Sequence, residues 1–260
     1  MRPKAKTSEL ERLAHILYLE AGVRLDKEKF FLLENRLLKR LRENSLSSFS
    51  DYISLLKKSR AEMILFISQM TTHKTFFNRE AGHFDFLRKM IAKEPKREWV
   101  FLCAACSTGQ EVYTLAAYLE SWKREHKFNY KILGFDICTE SVKKAEKAEY
   151  KDSWEKLKEA KLTSYFTLED GVIRPKELLK ENVKFRVKNL VNLDLPKGLV
   201  FDVIFIRNVL IYFDQSNIEK AISALGAHQK NRGKLFVGMS EHISHPDYQA
   251  QGGSMYEKVA

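Results

Sequence analysis

Apolar side chains recur at intervals of three and four through the first seventy residues. Leu10, Leu13, Ala14, Leu17 and Tyr18 mark one helical face that runs to Gly22, a natural helix stop. Ser8-Glu9-Leu10-Glu11 reads as the capping box that opens it. Asp26 is placed to cap a second helix whose buried side is Phe30, Leu33, Leu37 and Leu41. Phe49, Tyr52, Ile53 and Leu56 predict a third, and Ala61–Met70 a fourth. No period-two alternation interrupts them, so residues 1–70 are expected to form a small helical domain. After a linker and helix over 71–95, the pattern changes. Short apolar runs at Trp99–Ala104, Tyr130–Asp136, Val183–Val187, Phe201–Ile206, Lys234–Met239 and Ser254–Val259 read as strands. Between them lie helices over Glu111–Arg124, after Asp136 (a lysine- and glutamate-rich stretch reaching Lys161), and over Ser216–His228, opened by the box Ser216-Asn217-Ile218-Glu219. Strand–helix–strand order predicts an α/β domain over 96–260 with a parallel sheet and crossover helices. Residues 152–184 fit neither period and read as an inserted subdomain, with a turn at Glu169-Asp170-Gly171.

Composition adds a partner. Hydrophobic residues are 44% of the 260, with 17 Phe, which excludes disorder and supplies a sizeable core. The net charge of +11 leaves nucleic acid, an anionic membrane or an acidic protein open. That charge is denser in residues 1–70, which hold 14 basic and 9 acidic side chains. Arg36, Lys39, Arg40 and Arg42 lie opposite the second helix's apolar side and form a candidate substrate-docking face; the plainer alternative is a solvated helix surface. Cys103, Cys106 and Cys138 cannot make a disulfide framework, and no histidine pattern completes a zinc site, so no metal is expected. No stretch approaches the roughly 20 apolar residues of a membrane span, so a soluble cytoplasmic chain is expected.

Candidate chemistry sits at the carboxyl ends of the strands, where α/β sheets bind ligands. The first strand runs into Ala104-Ala105-Cys106-Ser107-Thr108-Gly109-Gln110-Glu111, whose small side chains let a ligand approach the backbone. It is neither G-x-G-x-x-G nor a P-loop. The second strand ends in Asp136, placed either to accept from ribose hydroxyls or to cap the next helix. The fourth delivers Arg207-Asn208 from an apolar run, as a pocket wall or as a structural ion pair.

These segments resemble the chemotaxis-receptor glutamate methyltransferases, the CheR family. The likeness rests on Met70–Glu80 (MTTHKTFFNRE), Cys106–Glu111 (CSTGQE), Gly134-Phe135-Asp136-Ile137, Phe201–Asp214 (FDVIFIRNVLIYFD) and Gly238-Met239-Ser240-Glu241, in the family's order along most of the chain. The resemblance implies a Rossmann-like methyltransferase sheet behind an all-helical domain, with S-adenosyl-L-methionine as cofactor and S-adenosyl-L-homocysteine as product. It implies cofactor contacts from His73, Thr75, Arg79, Gly109, Glu111, Asp136, Asn189, Leu190, Arg207 and Asn208. Glu111 would accept from the amino group, Asp136 would hold the ribose, and Thr75 and Arg79 would contact the methionine end, Arg79 as a candidate catalytic residue. Tyr212 is a second candidate, placed near the transferring methyl; the plainer alternative is a half-buried core tyrosine. His73 replaces a family asparagine, and Val112 replaces a proline of the helix's first turn. The implied reaction moves a methyl group onto glutamate carboxylates in the cytoplasmic helical domains of chemotaxis receptors, with a monomeric enzyme and neither nucleic acid nor membrane insertion. Residues 165–184 are a candidate small β-subdomain for a receptor's C-terminal tether. Two other readings compete: a non-catalytic cofactor-binding scaffold, and a nucleic-acid methyltransferase, for which no base-holding motif is present.

Overall fold

The computed structural model describes residues 3–71, 74–94 and 98–259. Helices α1 (Thr7–Ala21), α2 (Phe30–Glu43), α3 (Phe49–Lys58) and α4 (Arg60–Met70) pack around Leu13, Leu17, Leu33, Leu37, Tyr52 and Phe66, all buried. Gly22 ends α1 in the left-handed region (φ 72°), as its position implied. The predicted caps are displaced. Glu9 accepts from the Lys6 amide (2.8 Å), so the chain turns helical before Ser8. Asp26 makes no cap hydrogen bond and instead accepts from Arg24 Nε; a single 3-10 turn, Lys27–Lys29, precedes α2. Ser48 and Ser59 do cap α3 and α4.

Helix α5 (Gly82–Lys93) leads into β1 (Glu98–Ala104), α6 (Gln110–His126), β2 (Asn129–Asp136) and α7 (Thr139–Lys147). The lysine-rich stretch after Asp136 is not one helix: Ala148 takes a left-handed φ of 55° and separates α7 from α8 (Trp154–Glu159). A hairpin of β3 (Phe166–Glu169) and β4 (Val172–Pro175) turns at Asp170-Gly171, both at positive φ, as the sequence indicated. Helix α9 (Glu177–Lys180) follows, and β5 (Val183–Val187) returns to the main sheet, so the insertion ends before Val183. Then come β6 (Phe201–Ile206), α10 (Gln215–Gly226), β7 (Gln229–Val237), β8 (Tyr248–Gly252) and β9 (Met255–Lys258). The cap of α10 is Asp214, which accepts from the Asn217 amide (2.9 Å), not the Ser216 box. Strand β8 carries four exposed residues of five and so lacked the apolar signature of a strand.

The sheet order is β5-β2-β1-β6-β7-β9-β8, parallel except where β9 runs against β7 and β8. This is a doubly wound, Rossmann-like sheet. Phe101, Cys103, Val203 and Phe205 face α5 and α6, while Leu102, Ala104, Ile204 and Ile206 face α10. Strand direction reverses its progress across the sheet between β1 and β6, which opens a crevice at their carboxyl ends. No helix of the described residues is long and apolar enough to cross a membrane.

Candidate functional site

A cleft of about 1060 Å³, counted to its open mouth, occupies that crevice. Its floor begins where β1 ends. Ala105 and Ser107 hold φ of 56° and 51°, a conformation costly for residues with a Cβ, and the Cys106 amide donates to the Phe135 carbonyl (2.9 Å). The result is a tight turn whose small residues, Ala105, Cys106 and Ser107, line the cleft. Gly109 does not belong to the wall. Its φ of 90° opens α6, and an added Cβ would lie 2.8 Å from the Ala145 Cβ, so the glycine lets α7 pack closely.

Asp136, at the end of β2, is buried. Its Oδ2 accepts from the Ser107 amide (2.8 Å) and its Oδ1 from the Cys138 amide (2.9 Å), which fixes the carboxylate against the turn. Glu111, one residue into α6, is half-buried in the wall and accepts from Arg207 Nη1 (2.8 Å). Burial pushes its pKa up, the Arg207 charge opposes that, and the neighbouring Glu80 charge adds to it. Arg207, at the end of β6, is almost wholly enclosed. Its Nε and Nη2 donate to Glu80 Oε2 (3.1 and 2.9 Å), and its guanidinium stands 5.9 Å from the centre of the Phe84 ring. It is thus both a wall residue and the centre of an ion-pair network. Asn208 follows at φ 60°; its amide donates to Glu241 Oε2 (2.7 Å) and its Nδ2 to Glu80 Oε1 (3.1 Å).

Thr75, Arg79, Asn189, Leu190 and Tyr212 also line the cleft. Arg79 is half-buried and donates to the Lys74 carbonyl (3.1 Å). Asn189 Nδ2 donates to the Glu20 carbonyl (2.7 Å), and the Tyr212 carbonyl accepts from the Arg24 amide (2.9 Å). Both bonds cross to the helical domain, whose Ala21 and Val23 complete one wall. His73 lies outside the described residues. Sequence reasoning missed Glu80 and the work of Glu241. Glu241 is 3% exposed and accepts from the amides of Gly238 (2.6 Å), Asn208 (2.7 Å) and Ile211 (3.3 Å). The Gly238–Glu241 motif was visible; its partners, some thirty residues away in the chain, were not.

Cys106 lines the cleft, but burial, then the charges of Asp136 and Glu111, push its thiol well above the ordinary range, so it is neutral. Among the described residues no group of His, Cys, Asp and Glu has metal-binding geometry. His245 is held by Ser223 and the Asp247 amide. The expected docking face is partly inverted. Arg40 is only 11% exposed and pairs with Glu62 (2.5 Å) and Glu43, because α4 packs over it. Arg36 donates to the Met70 carbonyl at the end of α4 (2.8 Å). Lys39 and Arg42 remain exposed.

The cleft suits S-adenosylmethionine by its donor set. The wall joins a half-buried carboxylate, Glu111, and a buried one, Asp136, to a turn of small side chains and to apolar surface from Phe135, Ile137 and Leu190. A ligand with a cationic amino end, a hydroxyl-bearing sugar and a flat base meets each of these in kind.

Comparison with known proteins agrees with this chemistry. The family model described as CheR methyltransferase, SAM binding domain, matches residues 73–256, and the CheR methyltransferase all-alpha domain matches residues 8–71. The chain is 33% identical to the chemotaxis protein methyltransferase of Borreliella burgdorferi, covering 90% of this chain and 88% of that one. It is likewise 33% identical to the chemotaxis protein methyltransferase of Escherichia coli (strain K12), over 92% and 85% of the two chains. Among solved structures, magnesium protoporphyrin IX methyltransferase from Synechocystis PCC 6803 with bound SAM aligns over 78% of this chain and 94% of that one, at 12% identity and a TM-score of 0.41.

Proposed function

This chain belongs to the CheR methyltransferase family, and from that premise we propose that it methylates glutamate side chains of chemotaxis receptors, using S-adenosylmethionine and forming glutamyl methyl esters. The observation that carries the reading is the pairing of both family domains around one cleft with Glu111 and Asp136 in its wall. When bound, the cofactor supplies an electrophilic methyl group on its sulfonium. Glu111 would accept from the amino group, Asp136 from the ribose hydroxyls, and Thr75, Arg79, Arg207 and Asn208 would hold the amino-acid end. Asn189 and Leu190 would flank the base. Tyr212, on the 3-10 turn Leu210–Tyr212 and in the cleft lining, would lie near the methyl group being transferred.

The reaction asks little of a general base, since a glutamate of pKa about 4.3 is already ionised at neutral pH. Orientation and exclusion of water are what the cleft contributes. The neutral Cys106 thiol does not compete for the methyl group. Lys74, Arg79 and Lys188 on the cleft wall favour an anionic acceptor, and exposed Lys39 and Arg42 extend positive charge across the helical domain. The acceptor is thus the acidic cytoplasmic helical region of a receptor, met by a monomer in the cytoplasm. Incubation with methyl-labelled cofactor and receptor-enriched membranes tests this. Label should enter receptor protein and be released by mild alkali, as an ester requires; label confined to RNA, or none at all with cofactor bound, contradicts it.

A further inference from the structure

Glu80 stands outside every role given above, yet it is the most connected side chain behind the cleft. It is 13% exposed and takes a left-handed φ of 54°. One carboxylate oxygen receives Nε and Nη2 of Arg207; the other receives Asn208 Nδ2 and the Met239 amide (3.3 Å). The segment before α5, the end of β6 and the loop after β7 are thereby tied at one point.

The charge arithmetic gives this arrangement a consequence at the cleft. Arg207 is the cation both acids share; its Nε and Nη2 donate to Glu80, Nη2 is held also by the Arg79 carbonyl, and Nη1 goes to Glu111. Glu111 keeps one guanidinium bond and remains in the wall. Without Glu80, Nε of Arg207 would lose its partner and only the Arg79 carbonyl would restrain Nη2, so the guanidinium could turn further onto Glu111 and cancel its charge. We propose that Glu80 is a positioning residue that holds Arg207 and Asn208 so that Glu111 stays available to the cationic amino end of the bound nucleoside cofactor. Glu80 acts through Arg207 and Asn208 and lines none of the cleft itself.

This proposal rests on the cofactor reading above, and the ligands of its test separate the two. S-adenosylhomocysteine carries the amino-acid end; 5′-methylthioadenosine has the same adenosine and sulfur without it. Calorimetric titration of both into the full chain and into Glu80→Ala and Glu80→Gln, with thermal unfolding alongside, distinguishes positioning from general support. In both variants S-adenosylhomocysteine should bind about tenfold more weakly, the loss expected for one charge-assisted hydrogen bond, while 5′-methylthioadenosine binds as to the unaltered chain. Glu80→Gln, with its fold nearly isosteric, covers the case in which Glu80→Ala unfolds. Equal losses for the two ligands, or unchanged S-adenosylhomocysteine binding, would overturn the positioning role. An unaltered chain that binds neither ligand would overturn the cofactor reading and this role with it.

Discussion

Glu241 shows how a buried carboxylate can be spent on the backbone. Its two oxygens satisfy three amides across two loops, and one of those amides belongs to Asn208 in its left-handed turn. Removing a buried acceptor strands its donors at about 1–3 kcal/mol each, so Glu241→Ala should destabilise the protein by about 2–4 kcal/mol in denaturant unfolding. A loss under about 0.5 kcal/mol would show that water replaces the carboxylate. Asp136 divides its work differently. Two amides hold it against the turn, and the carboxylate also lines the cleft. The amide of Cys138, at the start of α7, gives Asp136 its structural contact, while the ribose role is the one proposed above. Asp136→Asn and Arg207→Ala should each weaken S-adenosylhomocysteine binding by about tenfold or more in calorimetry. Normal binding by both variants would move the pocket elsewhere.

Among the elements, α2 separates pattern from context most sharply. Helical periodicity placed Phe30, Leu33, Leu37 and Leu41 inside, and all four are buried. The same periodicity turned Arg40 outward, but a helix in a bundle has more than one neighbour. Helix α4 covers Arg40 and supplies Glu62, which also accepts from Tyr52 (2.8 Å). Nothing local to α2 announces an acid 22 residues further on. Glu62 is 5% exposed, and although burial raises its pKa, the bonds from Arg40, Tyr52 and Asn44 lower it further, leaving a net depression. A carboxyl with a depressed folded-state pKa contributes stability above its unfolded value, about 4.3, and loses it as pH falls through the folded value. The helical domain should therefore be acid-sensitive below about pH 4. Arg40→Ala leaves Glu62 buried and uncompensated and should cost about 3–5 kcal/mol. Lys39→Glu with Arg42→Glu, on the exposed side, should change stability by less than about 1 kcal/mol while weakening receptor methylation, most at low salt. Equal methylation by that variant at all salt concentrations would remove the docking role from α2.

At the scale of the whole molecule, the two domains share the cleft. Tyr18 donates to Asp214 (2.8 Å), Asn217 Nδ2 to the Gly22 carbonyl (3.2 Å) and Asn189 Nδ2 to the Glu20 carbonyl. Gly22 sits so close to the sheet domain that an added Cβ would lie 2.5 Å from Val191 Cγ1. The helix stop read from the sequence is thus also a domain contact. What was legible in the chain was local: periodicity, strand ends, and residues such as Asp136 and Arg207 that emerge from apolar runs. What stayed hidden was set by distance along the chain. The Glu80 contacts to Arg207 and Asn208 span 127 and 128 residues, and β8 joins the sheet by edge pairing to β9 without an apolar face of its own. The net charge of +11 likewise gained meaning only from placement, since some of its arginines are internal and others surround the cleft.

The central claim is methyl transfer to receptor glutamates, and peptide mass spectrometry of a purified receptor cytoplasmic domain incubated with the chain and S-adenosylmethionine tests it most directly. The account predicts one methyl group on particular glutamates, alkali-labile, and strongly diminished with the Asp136→Asn chain. Unmodified receptor peptides in the presence of a chain that binds the cofactor would contradict it.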